Sequence, residues 1–228
     1  YASLQINNIP QDWVYGDAKE ATERWKAIRY GVYIDGRLKG VVQILEKKVL
    51  GITVAVRINR GPVMEESFSC SFIKFLIIQE IRKKYMHGIP LMYAPYIYMS
   101  PYNIHLATFY NWKNISLFGY PSAIINLEQS EDDLYKGMKA FWRKNLKHAK
   151  KCLTIKYNEY NTDEIIELYI GFLKMKKIPG IPEHILRYLF SLDMPPLEII
   201  SAHNEDGEMI AYKVLYKHGK SLDRKSVV

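Results

Sequence analysis

Arg57-Ile58-Asn59-Arg60-Gly61-Pro62-Val63 joins an apolar, β-branched run at residues 52–58 to a long amphipathic segment at 67–86. Two arginines and a Gly-Pro turn therefore stand where a strand hands over to a helix. In α/β domains ligands usually bind past the carboxyl end of a strand. A guanidinium at that place is a fixed planar donor for carboxylate or phosphate. A turn made only for structure needs the glycine and the proline, not two cationic forks beside them. Arg57, Arg60 and Gly61 are therefore candidate binding residues.

Upstream of that stretch, residues 27–34 and 38–45 flank Asp35-Gly36-Arg37, a tight-turn signature between two strands, and residues 50–58 complete a meander. Residues 15–25 predict a helix, with Ala18, Ala21 and Trp25 at spacings of three and four. Downstream, residues 67–86 predict a helix whose middle, 72–78, is apolar nearly all round and so expected to be buried, with Cys70 in the core. Residues 91–97 predict a strand. Ser100-Pro101 supplies an N-cap and a proline at the first helical position, opening a helix to about Trp112.

Residues 122–127 read as a strand, after which Ser130 caps one helix over 130–151. Leu134, Met138, Phe141, Leu146 and Ala149 trace an apolar stripe along it. Glu131, Asp132 and Asp133 in its first turn and Lys147, Lys150 and Lys151 in its last match the macrodipole. Past Cys152 the order begins again, with a strand at 153–157, helices at 162–177 and 182–190, and strands at 197–203 and 209–216 across Glu205-Asp206-Gly207. Residues 1–151 are expected to form a first domain, with 130–151 as the linking helix, and 152–228 the N-terminal part of a similar second domain. Three antiparallel strands and two helices leave an open edge, so that second domain is expected to be truncated. Residues 223–228 continue no pattern and read as a truncation or a foreign tail.

Thirty-two Lys and Arg against 24 Asp and Glu give a formal charge of +8, which favours an anionic partner. Seven of those basic residues lie in 136–151, so much of the excess sits on one segment. Two cysteines without paired spacing exclude a disulfide framework and point to a reducing, cytoplasmic compartment. No apolar run approaches the roughly 18 residues of a membrane span. The six histidines show no ligand spacing, so no metal is expected. No Gly-x-Ser-x-Gly elbow marks a hydrolase. Cys152 reads as a helix-end packing residue.

Gln11-Asp12-Trp13-Val14-Tyr15-Gly16-Asp17-Ala18-Lys19, with Trp25 following, resembles the N-terminal signature of tandem-GNAT acyltransferases. That superfamily includes the Fem-type peptidoglycan aminoacyltransferases and the related acetyltransferases called BioF2-like. Arg57-Ile58-Asn59-Arg60-Gly61-Pro62 resembles the signature at the end of their fourth strand. Phe141-Trp142-Arg143-Lys144-Asn145-Leu146-Lys147-His148-Ala149 resembles their interdomain helix, and Gly119-Tyr120 sits where they commonly carry a Gly-aromatic pair. The likeness spans residues 11 to about 216. It implies an α/β (α+β) fold, with GNAT-like mixed, mostly antiparallel sheets flanked by helices, the first domain complete and the second partial. It also implies acyl transfer from an activated donor to an amine.

On that resemblance the chain is expected to be an N-acyltransferase of cell-envelope or glycan biosynthesis, with acyl-CoA donating an acetyl group. The alternatives are a Fem-type enzyme using aminoacyl-tRNA to build peptidoglycan cross-bridges, and a non-catalytic module for anionic glycans or nucleotide sugars. The expected acceptor is an anionic, amine-bearing molecule such as a nucleotide sugar or muropeptide. Trp13, Tyr15, Lys19, Arg57, Arg60 and Gly61 would bind it, with Arg143, Asn145 and Lys147 on the long helix. Arg143 and Lys147, at i and i+4, form a row suited to a diphosphate. Lys139, Lys144 and Lys151 read as a solvated face. Alignment alone can supply on the order of 7–11 kcal/mol of such a transfer, so no catalytic side chain is named.

Coenzyme A pyrophosphate is held by free N–H groups of a Gly-rich loop opening a helix. Here that loop carries Pro62, which lacks an N–H, and then Glu65 and Glu66. The donor is therefore expected in the second domain, beyond Tyr216, and the 228 residues alone are expected to show no turnover.

Overall fold

The computed structural model describes residues 8–115, 125–219 and 221–227, and two sheets organise them. In the first, β1 (Trp25–Ile34), β2 (Arg37–Val49) and β3 (Ile52–Asn59) run antiparallel, and β5 (Leu91–Ala94) joins β3 in parallel. β4 (Val63–Met64) pairs with β2 on its own. Both meander turns place two successive residues at positive φ, Asp35 with Gly36 and Leu50 with Gly51. That backbone twist matches the strands it joins. The alternation on β2 and β3 sends Val42, Ile44, Val56 and Ile58 to one side, where Ile78 and Ile81 of α2 (Ser71–Arg82) close the core.

Only one stripe of α2 is buried. Phe75, Ile78 and Ile81 are enclosed, whereas Phe72 and Leu76 are exposed, so the helix covers one sheet face instead of lying inside a core as its composition suggested. Cys70 is exposed at the helix N-cap, which corrects the core assignment. α3 (Pro101–Phe109) starts as expected, with the Ser100 hydroxyl accepting from the Asn103 N–H at 3.2 Å. The strand expected at 122–127 and the Gly119-Tyr120 pair fall largely or wholly outside the described residues.

The single helix expected over 130–151 is two. α4 (Glu131–Gly137) ends at a glycine, Met138 and Lys139 are extended, and α5 (Ala140–Cys152) restarts. Ser130 does cap the first, accepting from the Asp133 N–H. The break rotates the apolar stripe apart, and Phe141 and Trp142 are 65% and 60% exposed.

The second sheet orders β6 (Thr154–Tyr157), β7 (Leu197–His203), β8 (Met209–His218) and β9 (Ser221–Val227), all antiparallel. α6 (Thr162–Lys176) and α7 (Glu183–Phe190) lie against it, burying Ile165, Ile166, Tyr169, Ile185, Leu186 and Leu189 with Leu197, Ile199, Val214 and Tyr216. β9 occupies residues that the sequence pattern left without a strand. Its residues alternate poorly in hydropathy, and main-chain pairing to β8 suffices to hold an edge strand.

α1 (Trp13–Glu23) links the two sheets. Gly16 packs on Gln43 of β2, while Ala18 and the preceding Ile9 are buried in the second core beside Ile185 and Tyr216. Among the described residues no helix is long and apolar enough to cross a membrane.

Candidate functional site

The segment leading into α1 is fixed by a buried amide network. Gln11, 1% exposed, donates to the Gln43 and Asn59 carbonyls at 3.0 and 2.7 Å and accepts from the Gln43 N–H at 2.8 Å. Gln43 in turn donates to the Asp12 carbonyl at 2.8 Å. Asp12 then caps α1 through the Val14 N–H at 2.9 Å and accepts the Tyr216 hydroxyl at 3.3 Å. Burial holds the Asp12 carboxyl above its ordinary value despite these hydrogen bonds. Two stretches that sequence alone placed far apart, 11–19 and 57–61, therefore share one framework.

On α1, Tyr15, Lys19 and Glu23 follow at intervals of four and line one face. Lys19 Nζ lies 2.7 Å from Glu23 Oε1 and 5.6 Å from the centre of the Tyr15 ring. The same Glu23 oxygen meets His184 Nε2 of α7 at 3.0 Å. Burial alone would raise the Glu23 carboxyl, but hydrogen bonds from Lys19 and His184 bring it below the ordinary range. Burial raises the Tyr15 phenol, the Glu23 charge adds to that, and Arg57 opposes it, so Arg57 is within electrostatic reach of Tyr15. The Arg57 Nε donates to Asn59 Oδ1 at 3.1 Å. Trp13 is covered by the Arg29 guanidinium, 4.3 Å from its ring, and Arg29 also binds Asp17 at 2.6 Å and Gln43 at 2.8 Å.

Arg60 closes β3 in the left-handed region at φ 56, donating its N–H to the Ala94 carbonyl at 2.6 Å, with its guanidinium 5.6 Å from the Tyr96 ring. Asn8 Nδ2 donates to the Arg60 carbonyl at 3.3 Å. A Cβ on Gly61 would come within 2.6 Å of the Gln11 carboxamide, so this glycine is needed for the close approach of Gln11.

The remaining candidates form a second group on α5. Arg143 Nη1 donates to the Lys136 and Met138 carbonyls at 3.0 and 2.6 Å, clamping the break between α4 and α5. Asn145 is exposed on the same helix. Lys147 lines an open cationic basin with Lys144, His148 and Lys151. His148 Nε2 also lies 4.0 Å from Cys152 Sγ. Among the described residues no group of three or more His, Cys, Asp or Glu is placed to hold a metal ion.

Trp13, Tyr15, Lys19, Arg57, Arg60 and Gly61 are thus tied into one framework by the Gln11 network. Sequence reasoning missed Glu23, His184, Arg29 and the role of Gln11. The i, i+4 spacing of Lys19 and Glu23 was a local signal for the first. His184 comes from a helix some 160 positions away and left none. The arrangement sets ammonium and guanidinium groups beside aromatic rings, which suits an anionic ligand with a stackable body.

No family model matches the sequence, and no curated protein matches it. Among solved structures, FemX is similar, with a TM-score of 0.63 and 16% identity over 94% of this chain and 54% of that one. The chain thus spans about half the length of FemX. L-PGS from Bacillus licheniformis is more distant, with a TM-score of 0.42 and 11% identity over 98% of this chain and 67% of that one. The likeness to FemX establishes the fold, a mixed α/β architecture with mostly antiparallel sheets flanked by helices.

Proposed function

We propose that this chain carries the acceptor-binding part of a Fem-type aminoacyltransferase, an enzyme that moves an aminoacyl group from tRNA to the amine of a peptidoglycan precursor. The observation that carries this reading is the union of the two family-like stretches, 11–19 and 57–61, through the Gln11 contacts to Gln43 and Asn59. The FemX-like fold supports it, and favours this donor over the acyl-CoA expected from sequence. In this reading Lys19, Arg57 and Arg60 answer the anionic groups of the acceptor, and Tyr15, Trp13 and Tyr96 flank its body. Arg143, Asn145 and Lys147 extend the cationic surface on α5, with Arg143 also shaping the helix break.

In this reading residues 1–151 make the first domain and 152–228 belong to the second, with Ile9 and Ala18 packed into the second core. Acyl transfer needs alignment and a polarised carbonyl more than a protein nucleophile. In this reading the donor belongs with the second domain. The test titrates a nucleotide-linked muropeptide, charged tRNA and acetyl-CoA in turn. Saturable binding of the muropeptide, with discharge of aminoacyl-tRNA, supports the reading. Turnover of acetyl-CoA instead would replace it.

A further inference from the structure

The β2–β3 hairpin runs past the strands that flank it. β1 begins at Trp25, opposite Lys47, and β5 meets β3 only from Val56 onward. Among the described residues, 48–55 therefore form a two-stranded ribbon with no paired strand on either side, in which Lys48 faces Thr53 and Val49 faces Ile52. At about 3.4 Å per residue the tip stands roughly 10 Å beyond the sheet. It is apolar: Leu50 is 96% exposed, Ile52 64%, Val49 53% and Val54 41%. Leu50 also sits at φ 50, a conformation that asparagine, aspartate or glycine adopts with less strain. Its side chain is almost fully exposed among the described residues.

The surround is basic. Lys48 is on the ribbon, with Arg24 just before β1 and Lys26 within it beside the ribbon, while Lys47 at its base donates to the Glu23 carbonyl at 2.7 Å and lies over the Trp25 ring. The loop after α2 reaches the same end, because the Tyr85 hydroxyl binds Glu46 at 2.7 Å, and it carries Met86 at 72% exposure. The acidic groups nearby are occupied. Glu46 is 7% exposed and meets Lys48 at 3.6 Å, Glu80 pairs with Lys83 at 2.6 Å, Glu20 accepts the Ala27 N–H, and Glu23 is held by Lys19 and His184.

We propose that the β2–β3 tip is a membrane-docking wedge, in which Val49, Leu50 and Ile52 enter the interfacial layer of an anionic bilayer while Lys48, Arg24 and Lys26 meet phospholipid headgroups. A few apolar side chains inside a cationic collar fit interfacial insertion, where burial and attraction to anionic lipid act together. A protein partner needs roughly 800 Å² on each side, and a narrow tip of four apolar side chains does not offer it. The inference goes beyond the aminoacyl-transfer reading and does not depend on it, since a bilayer contact needs neither donor nor acceptor.

The test is flotation with vesicles of phosphatidylcholine alone or mixed equally with phosphatidylglycerol, with light scattering for oligomeric state. The chain is expected to float with the mixed vesicles, less so as salt rises, and weakly with phosphatidylcholine alone. Leu50→Asp and Ile52→Asp are each expected to weaken partitioning about tenfold or more. The double change Lys26→Glu with Lys48→Glu is expected to do the same for mixed vesicles only. Met194→Asp, at a position 88% exposed on the second unit, is expected to leave partitioning intact. Unchanged far-UV dichroism shows that each variant is folded. Failure to float with mixed vesicles overturns the proposal, as does equal flotation of folded Leu50→Asp. So does a Leu50-dependent dimer that forms without lipid, which would assign the tip to a second copy.

Discussion

The side-chain amide of Gln11 donates to the main-chain carbonyl of Asn59 at 2.7 Å, joining the turn before α1 to the end of β3 across 48 positions of sequence. The same side chain satisfies both the N–H and the C=O of Gln43. It does so at 1% exposure, where an unpaired amide has no water to turn to. Gly61 leaves the room for it. The stretch that carries Lys19 is therefore tied to the stretch that carries Arg57.

Gln11→Ala is expected to strip the Gln43 N–H and the Gln43 and Asn59 carbonyls of their partner and to cost about 3–5 kcal/mol, from three buried groups left unsatisfied. Gln11→Glu should also destabilise, because a carboxylate has no donor for the two carbonyls. Urea unfolding measures both. A loss below about 0.5 kcal/mol for Gln11→Ala would mean that water replaces the amide and the framework is looser than described.

Much of the fold was legible because its signals are local. The positive-φ turn at Asp35-Gly36, the Ser100 and Ser130 caps, and the β2 and β3 alternation depend on neighbours within a few positions, whereas the Leu50-Gly51 turn was read as the start of a strand. Gly137 was a local signal too, but the dipole-matched charges of 130–151 masked it, and one helix was read where two exist. The exposure of Phe72, Leu76 and Cys70 depends on what packs over α2, which composition does not encode. At the site, Trp13, Tyr15, Lys19, Arg57 and Arg60 were nameable one by one, while Glu23 and Arg29 were not. Their present partners, His184 for Glu23, Arg29 for Trp13 and the Lys136 and Met138 carbonyls for Arg143, arise from tertiary placement or from the helix break.

Glu23 should impose a pH dependence on stability. Its folded carboxyl titrates below the ordinary value, because hydrogen bonds from Lys19 and His184 outweigh its burial. The folded state therefore releases that proton more readily than the unfolded chain. The resulting stability is fully present above the ordinary carboxyl range and is lost as pH falls through the folded value. Relative to Glu23→Gln, the native chain is expected to be more stable by about 0.5–1 kcal/mol at pH 7, given the partly exposed pairs, with the gap closing in acid. Paired thermal melts from pH 7 to pH 3 check this. A gap that widens on acidification would reverse the sign and refute it.

Arg143 ties α5 to the end of α4 through two main-chain carbonyls. Arg143→Ala is expected to loosen that joint without unfolding either sheet, since neither core includes α5. Hydrogen exchange should accelerate several-fold over residues 137–143 and stay unchanged in β7 and β8. Lys144→Ala, one position along on the same exposed helix, should leave the joint as it was. Equal exchange in the native chain and Arg143→Ala would assign the guanidinium to ligand alone.

Lys19 decides between a brace and a binding site. As a brace its ammonium serves Glu23, an i, i+4 pair worth about 0.3–0.5 kcal/mol. As a ligand group it would contribute a charge-assisted hydrogen bond to an anionic acceptor, worth about 1.5–3 kcal/mol. The two roles separate cleanly in measurement. Lys19→Ala and Arg57→Ala are each expected to leave unfolding within about 0.5 kcal/mol of the native chain. Each should weaken calorimetric binding of a nucleotide-linked muropeptide about tenfold or more. Glu23→Gln frees Lys19 from its partner and is expected to hold or raise that affinity, with the ammonium then available to the ligand. If Lys19→Ala binds the muropeptide as the native chain does, the lysine belongs to Glu23 alone and the acceptor must be sought along the α5 basin of Lys144, Lys147 and Lys151.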